Sequence, residues 1–144
     1  MNQPTISWFI IEDDEQVQEE EYYLGSFNSN TNIELKLQIW NNRYGIEDVE
    51  SIKNAKLILY FETIEDNTLL NFCTVENEFD GEVKPTIELN KASIYLGELN
   101  GEANNGIDNE KNTNHFKNVT IRFKDFPANL KEGLKNLFVD IQYN

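Results

Sequence analysis

Few of the residues that small secreted or catalytic domains rely on occur in this chain. Its 144 residues include one cysteine, one histidine, three prolines, seven glycines and only four alanines. One cysteine, Cys73, cannot close an internal disulfide, which excludes a disulfide scaffold. Its apolar neighbours Leu69, Leu70, Phe72 and Val75 mark it as a buried, unreactive thiol. No apolar run approaches the ~18 residues of a membrane-spanning helix. Residues 1–4 carry no basic side chain, and the apolar stretch 6–11 is too short for a secretory leader. The chain is therefore expected to be made in the cytoplasm without a signal peptide.

Basic residues are also scarce. Twelve Lys and Arg face 26 Asp and Glu, for a formal charge of −14. Phosphate backbones and anionic bilayers meet a like charge on approach, so neither nucleic acid nor membrane is an expected partner. The charge is uneven. Residues 1–35 hold eight acids and no base, seven of them within 12–21. That acidic stretch is expected to be an exposed loop or a long hairpin tip, and a basic protein surface is the partner that would complement it.

The chemical inventory is thin. There is no P-loop and no GxGxxG, and Ser7, Ser26, Ser29, Ser51 and Ser93 lack the flanks of a nucleophile elbow. His115 lies in a polar stretch, 42 residues from Cys73, too isolated to found a zinc site. The expectation is no enzyme, no catalytic residue and no cofactor. Calcium is the metal that best suits the oxygen-rich stretches, through Glu102, Asn104, Asp108 and Glu110 or through Asp13, Asp14 and Glu15. The EF-hand spacing is absent from both. The aromatic surplus (Trp8, Trp40, Tyr22, Tyr23, Tyr44 and Tyr60) keeps open an alternative, a cell-surface carbohydrate-binding or adhesion module supported by calcium.

What is abundant favours strands. Val, Ile and Thr together number 28 and aromatics 17, and such side chains fit a pleated, half-buried surface. Val, Ile, Leu and Phe make up about 29% of the chain, enough for a core. The clearest strand is 33–40. Ile33, Leu35, Leu37 and Ile39 alternate with Glu34, Lys36 and Gln38, and Trp40 falls on the polar side, to be covered by a loop or a partner. Further strands are expected over 6–11, 22–27 (with Gly25 marking a bulge or a close approach), 57–62, 69–79, 82–89, 92–99, 119–126 and 137–143. Asp80-Gly81 is read as a hairpin turn, residues 46–54 as a crossover with one helical turn, and 101–115 as a long loop. Pro85 places its strand at an edge, or at a position whose N–H is not needed, and the doubly apolar 57–62 is expected at a sheet centre. The pattern predicts one all-β domain over 1–144, an antiparallel two-sheet sandwich of about eight strands with at most single helical turns in its connections.

Two stretches carry a resemblance. Leu24-Gly-Ser-Phe27, a polar turn, and Ile33-Glu-Leu-Lys-Leu-Gln-Ile-Trp-Asn-Asn-Arg-Tyr-Gly45 are followed by the acidic crossover Glu47-Asp-Val-Glu50. Near the end comes Val119-Thr-Ile-Arg-Phe-Lys-Asp-Phe-Pro127, then Gly133 and a last alternating strand. Together they resemble the Ig-like domains of phage structural proteins, chiefly of tails, over about half of the chain. The resemblance implies an Ig-like sandwich without catalysis, acting as a structural or interaction module of a phage or prophage particle. Its partners would be other particle proteins, of head or tail, or copies of itself. It implies synthesis in a bacterial cytoplasm and incorporation in a virion. Trp40, Asn41, Asn42, Arg43 and Tyr44 are the candidate interaction residues, with the two Asn side chains holding the turn through nearby backbone.

Overall fold

The computed structural model describes residues 1–11, 15–17, 21–77, 81–130 and 133–143, with backbone alone at 15–17, 21–27 and 134. Eleven strands appear among these residues. They are β1 (Ile6–Ile10), β2 (Glu15–Val17), β3 (Glu21–Phe27), β4 (Ile33–Asn41), β5 (Ile52–Phe61), β6 (Cys73–Asn77), β7 (Gly81–Val83), β8 (Thr86–Glu88), β9 (Lys91–Leu99), β10 (Phe116–Phe123) and β11 (Gly133–Gln142). They form two antiparallel sheets, one ordered β2-β1-β4-β10-β6-β7 and the other β3-β11-β5-β9-β8. The all-β two-sheet sandwich expected from the alternating pattern is the observed architecture.

Only the hairpins β1–β2, β6–β7 and β8–β9 stay within a sheet. Every other connection carries the chain across to the opposite sheet, so sequence neighbours face each other through the core. One cluster fills the space between. Leu35, Leu37 and Ile39 of β4 and Val119, Ile121 and Phe123 of β10 meet Leu57, Leu59 and Phe61 of β5 and Leu137, Val139 and Ile141 of β11. Phe61 and Phe123 close one end edge to face, their ring centroids 5.7 Å apart. β5 is flanked by β11 and β9, as its two-sided apolar pattern predicts.

The expected elements shift in detail. The stretch 82–89 divides into β7 and β8, edge strands of opposite sheets, with the buried Pro85 in the crossing between them. A proline cannot donate to a ladder, so the break falls there. Gly25 does mark a bulge: Lys135 pairs with Gly25 and Asn136 with Tyr23, leaving Leu24 as the extra residue. Instead of a strand from 69, a 3-10 helix runs over Ile64–Phe72, nine residues and thus longer than the single turns expected. It is anchored by Leu69 and Leu70 in the core. Asn67 Oδ1 accepts from the Phe61 N–H at 2.6 Å, and the buried Lys135 ammonium lies 2.7 Å from Asp66. Residues 46–51 form no helical turn. The N–H groups of Val49 and Glu50 bond Gly101 O and Asn2 O at 2.8 and 2.9 Å, so long-range partners take the donors a helix would use.

Part of the acidic stretch 12–21 joins the fold: Glu15–Val17 forms β2 and pairs along β1, so this part is strand where a loop or a hairpin tip was expected. Residues 12–14 and 18–20 lie outside the described residues, as does Asp80 of the expected Asp80-Gly81 turn; β6 and β7 pair across it from Asn77 to Gly81.

Leu57, fully buried at the sheet centre, tests this core. Leu57→Ala is expected to cost about 2–5 kcal/mol, read as a lower midpoint in urea denaturation. Leu89→Ala, at a side chain 93% exposed, is expected to leave the midpoint nearly unchanged.

Candidate interaction site

The β4 strand ends in the five residues singled out above, and the structure separates them by depth. Trp40 and Asn41 are fully buried and Asn42 nearly so, Arg43 is half-buried, and Tyr44 is 60% exposed. The strand's alternation explains the first of these. Trp40 points away from the core, onto the outer face of the six-stranded sheet, where it forms a second small cluster with Phe9 of β1 and Phe116 of β10. The Trp40 and Phe116 ring centroids lie 4.8 Å apart. A loop of this same chain covers that face.

The covering loop is the polar stretch 100–115. Trp40 Nε1 donates to Gln38 Oε1 at 2.7 Å, and Gln38 Nε2 donates to Asn118 Oδ1 at 3.0 Å and to Asp108 Oδ2 of the loop at 3.2 Å. Gln38 is 1% exposed, so this chain of bonds lets amide and indole groups sit dry beside the rings. Arg43 supplies the other clamp. Its guanidinium lies 4.4 Å from the Phe9 centroid, 4.8 Å from Tyr44 and 5.3 Å from Trp40, while Nε donates to Gly106 O at 3.0 Å. Gly106 sits at φ +71°, and a Cβ there would strike the Tyr44 ring. Only glycine lets the loop come down this far.

Asn41 and Asn42 hold the end of the sandwich together. Asn41 Nδ2 donates to Glu50 O and Leu99 O, both at 3.0 Å, and its Oδ1 accepts from Thr5 N–H at 3.0 Å. Asn42 Nδ2 donates to Glu47 O and Gly101 O, both at 2.8 Å, and its own backbone N–H reaches Thr5 O at 2.7 Å. Asn42 has φ +57°, a left-handed conformation that asparagine adopts at low cost. The two amides thus join the N-terminal segment, the 42–50 crossover, the end of β9 and the loop that follows. The turn-holding role expected of them is wider than one turn.

Four other candidate side chains, Cys73, His115, Asn104 and Asp108, are engaged in the structure. Cys73 is buried, and desolvation pushes its thiol up to about 12, leaving no thiolate at neutral pH. His115 is buried with Nδ1 2.9 Å from Asn100 O. A carbonyl only accepts, so Nδ1 carries the proton. Of the calcium candidates, Asn104 Oδ1 accepts from Gly106 N–H at 2.9 Å and Asp108 bonds Gln38. Among the described residues no group of three or more His, Cys, Asp or Glu is gathered as a metal ion requires, and Asp13 and Asp14 lie outside them. On the six-stranded sheet, far from Trp40 along β4, Arg122 bonds Glu34 at 3.0 Å and Glu76 at 2.8 Å and lies 3.5 Å from Glu82. Hydrogen bonding to Arg122 holds the Glu34 carboxyl below its usual range. The Thr74 hydroxyl, then Lys124 and Arg122, do the same for Glu82. The outer face of the five-stranded sheet carries an open cleft between Lys56, Ser93, Asp140 and Tyr143, beside the stacked Tyr60 and Phe138 rings.

Sequence reasoning placed Trp40 on the correct side but missed its partners Phe9, Phe116 and Gln38. Gln38 carried a signal, since it lies two residues before Trp40 and on the same face. Gly106 and Asn104 carried none, because nothing local links them to residues 42–45. Comparison with protein-family models, curated proteins and solved structures finds no match to this chain.

Asn41→Ala removes the donor from two carbonyls and the acceptor from one N–H at a largely buried joint. A loss on the order of 2–4 kcal/mol is expected from groups left unsatisfied, measured by urea denaturation, with faster amide exchange at Val49 and Gly101. The Glu34 and Glu82 carboxyls bind fewer protons folded than unfolded near pH 4. Their contribution is therefore present above the ordinary glutamate value of about 4.3 and lost as the pH falls from there through the lower values of the folded state. In Arg122→Met the urea midpoint should fall less between pH 6 and pH 3 than in the unaltered protein.

Proposed function

We propose that this chain is a non-enzymatic structural or interaction module of a phage or prophage particle. In this reading it presents a rigid β-sandwich to a head or tail protein or to other copies of itself. The observation that carries it is the Trp40-Asn41-Asn42 motif and the joint it builds. Residues resembling those of phage structural Ig-like domains hold one end of the sandwich in a fixed shape, through five side-chain hydrogen bonds to main chain. Rigid presentation of surface suits assembly, where ordering a loose end would weaken each contact. The non-enzymatic part rests on His115 and Cys73. The chain's only imidazole and only thiol are both buried, one against a main-chain carbonyl and one in the apolar core.

Particles released by induction of the source strain and purified on a density gradient test the reading by mass spectrometry. The chain is expected to co-sediment with head and tail proteins at a fixed ratio across the particle peak. Recovery only in the soluble fraction, from a gene with no head or tail genes nearby, would sink it.

A further inference from the structure

The buried motif continues into a surface. Beyond Asn42 the chain turns outward, and Tyr44 and Ile46 are 60% and 93% exposed. The loop that covers Trp40 contributes Ile107, 54% exposed. These side chains belong to one unit. The Tyr44 ring lies against Gly106, the residue before Ile107, and Gly45, the residue before Ile46, accepts from Asn104 N–H at 3.1 Å. Tyr44 N–H donates to Asn104 Oδ1 at 3.3 Å, Asn104 Nδ2 to Asn42 O at 2.8 Å, and Ala103 N–H to Asp48 Oδ1 at 2.9 Å. With the Arg43–Gly106 bond, the 42–48 turn and the 103–107 loop are cross-linked into a preformed surface.

The charge around it has one sign. Residues 43–50 and 100–112 carry six exposed acids, Glu47, Asp48, Glu50, Glu102, Asp108 and Glu110, against Arg43 and Lys111. The Arg43 guanidinium is drawn in among Phe9, Trp40 and Tyr44. An aromatic and two aliphatic side chains thus stand exposed on two joined loops whose exposed charges are mostly acidic, with Glu47 next to Ile46 and Asp108 next to Ile107 in the chain. Exposed apolar groups inside a charged border are the anatomy of a protein contact.

We infer that the Tyr44–Ile46–Ile107 patch docks a partner protein through an apolar contact ringed by Lys or Arg. A second copy of this chain fits poorly. A two-fold contact sets the patch against itself, which would bring the acidic rims together. A basic-rimmed partner gains on approach, because unlike charges steer the encounter and the apolar centre then excludes water. The preformed loops need no ordering on contact. This inference rests on the reading of the chain as an interaction module and names the partner chemistry. Particle recovery tests that reading and the experiment below tests the patch, so either can fail alone.

The probe is a library of random 12-residue peptides displayed on yeast and sorted against the labelled full-length chain. Enriched peptides are expected to place Lys or Arg on both sides of an aliphatic or aromatic residue. They should bind at least tenfold more weakly at 500 mM than at 50 mM salt. The double variant Ile46→Ser, Ile107→Ser should lose at least tenfold in binding, and Glu47→Gln with Glu102→Gln several-fold. Leu89→Ser, on the β8–β9 turn of the other sheet, should lose nothing. All these positions are exposed, and an unchanged melting curve establishes that each variant is folded. Asp48 and Asp108 are left intact because both brace the loops. An empty selection overturns the inference, as do peptides without basic residues or peptides that bind the double Ser variant equally well. Sedimentation showing a dimer that this variant abolishes would also overturn it, by seating a second copy on the patch.

Discussion

A main-chain carbonyl carried into the dry end of a β-sandwich has no water to bond, and it costs free energy until a donor is found. At one end of this molecule the carbonyls of Leu99 and Gly101, in buried bonds, and of Glu47 and Glu50, in part-buried ones, meet the amide nitrogens of Asn41 and Asn42. Main chain shares in the joint, since the Val49 N–H also bonds Gly101 O at 2.8 Å. The arrangement depends on two adjacent short amides at the end of β4. Asn42 must also accept a left-handed backbone to turn its side chain inward. Close approach completes the joint: a Cβ at Gly101 would strike the Val49 carbonyl. The N-terminal segment, the crossover and the covering loop are all positioned by this one exchange of hydrogen bonds.

Electrostatics and packing divide the outer face of the six-stranded sheet. Near Asn41 it is aromatic and covered, with Phe9, Trp40 and Phe116 beneath the 100–115 loop. Further along β4, Arg122 gathers Glu34, Glu76 and Glu82 on the open surface. The division follows the length of the loop, which reaches Gln38 through Asp108. One strand therefore serves the core on one face, and on the other a buried cluster followed by a solvated ion ladder. The net charge of −14 gains a location as well. Part of it lies in the 12–21 stretch, and part rims the loops beside Tyr44.

Much of the architecture was legible in the alternation of single strands. Ile33, Leu35, Leu37 and Ile39 announced both the strand and its inner face, and Gly25 announced a bulge, because these signals are local and have a period of two. Pro85 signalled an edge but not that the chain changes sheets there. Leu69, Leu70 and Phe72 read as a strand because apolar spacing over four residues does not distinguish a strand from a tight helix packed on a core. The candidate site was half legible. Trp40 and the two asparagines stood out, while Phe9, Phe116 and Asn104 did not, since their roles arise from contacts across about 30 to 80 residues of chain.

By itself the sequence determined the fold class, the polarity of each strand face and the acidic character of the molecule. These follow from side-chain alternation, hydropathy and charge, which belong to single residues or near neighbours. Only the tertiary structure decided which strands pair, what covers Trp40, and which side chains of the Trp40–Tyr44 stretch remain on the surface. Burial and hydrogen-bond partnership are properties of pairs far apart in the chain. The same tryptophan is a surface group or a buried one depending on where the loop around Gly106 comes to rest.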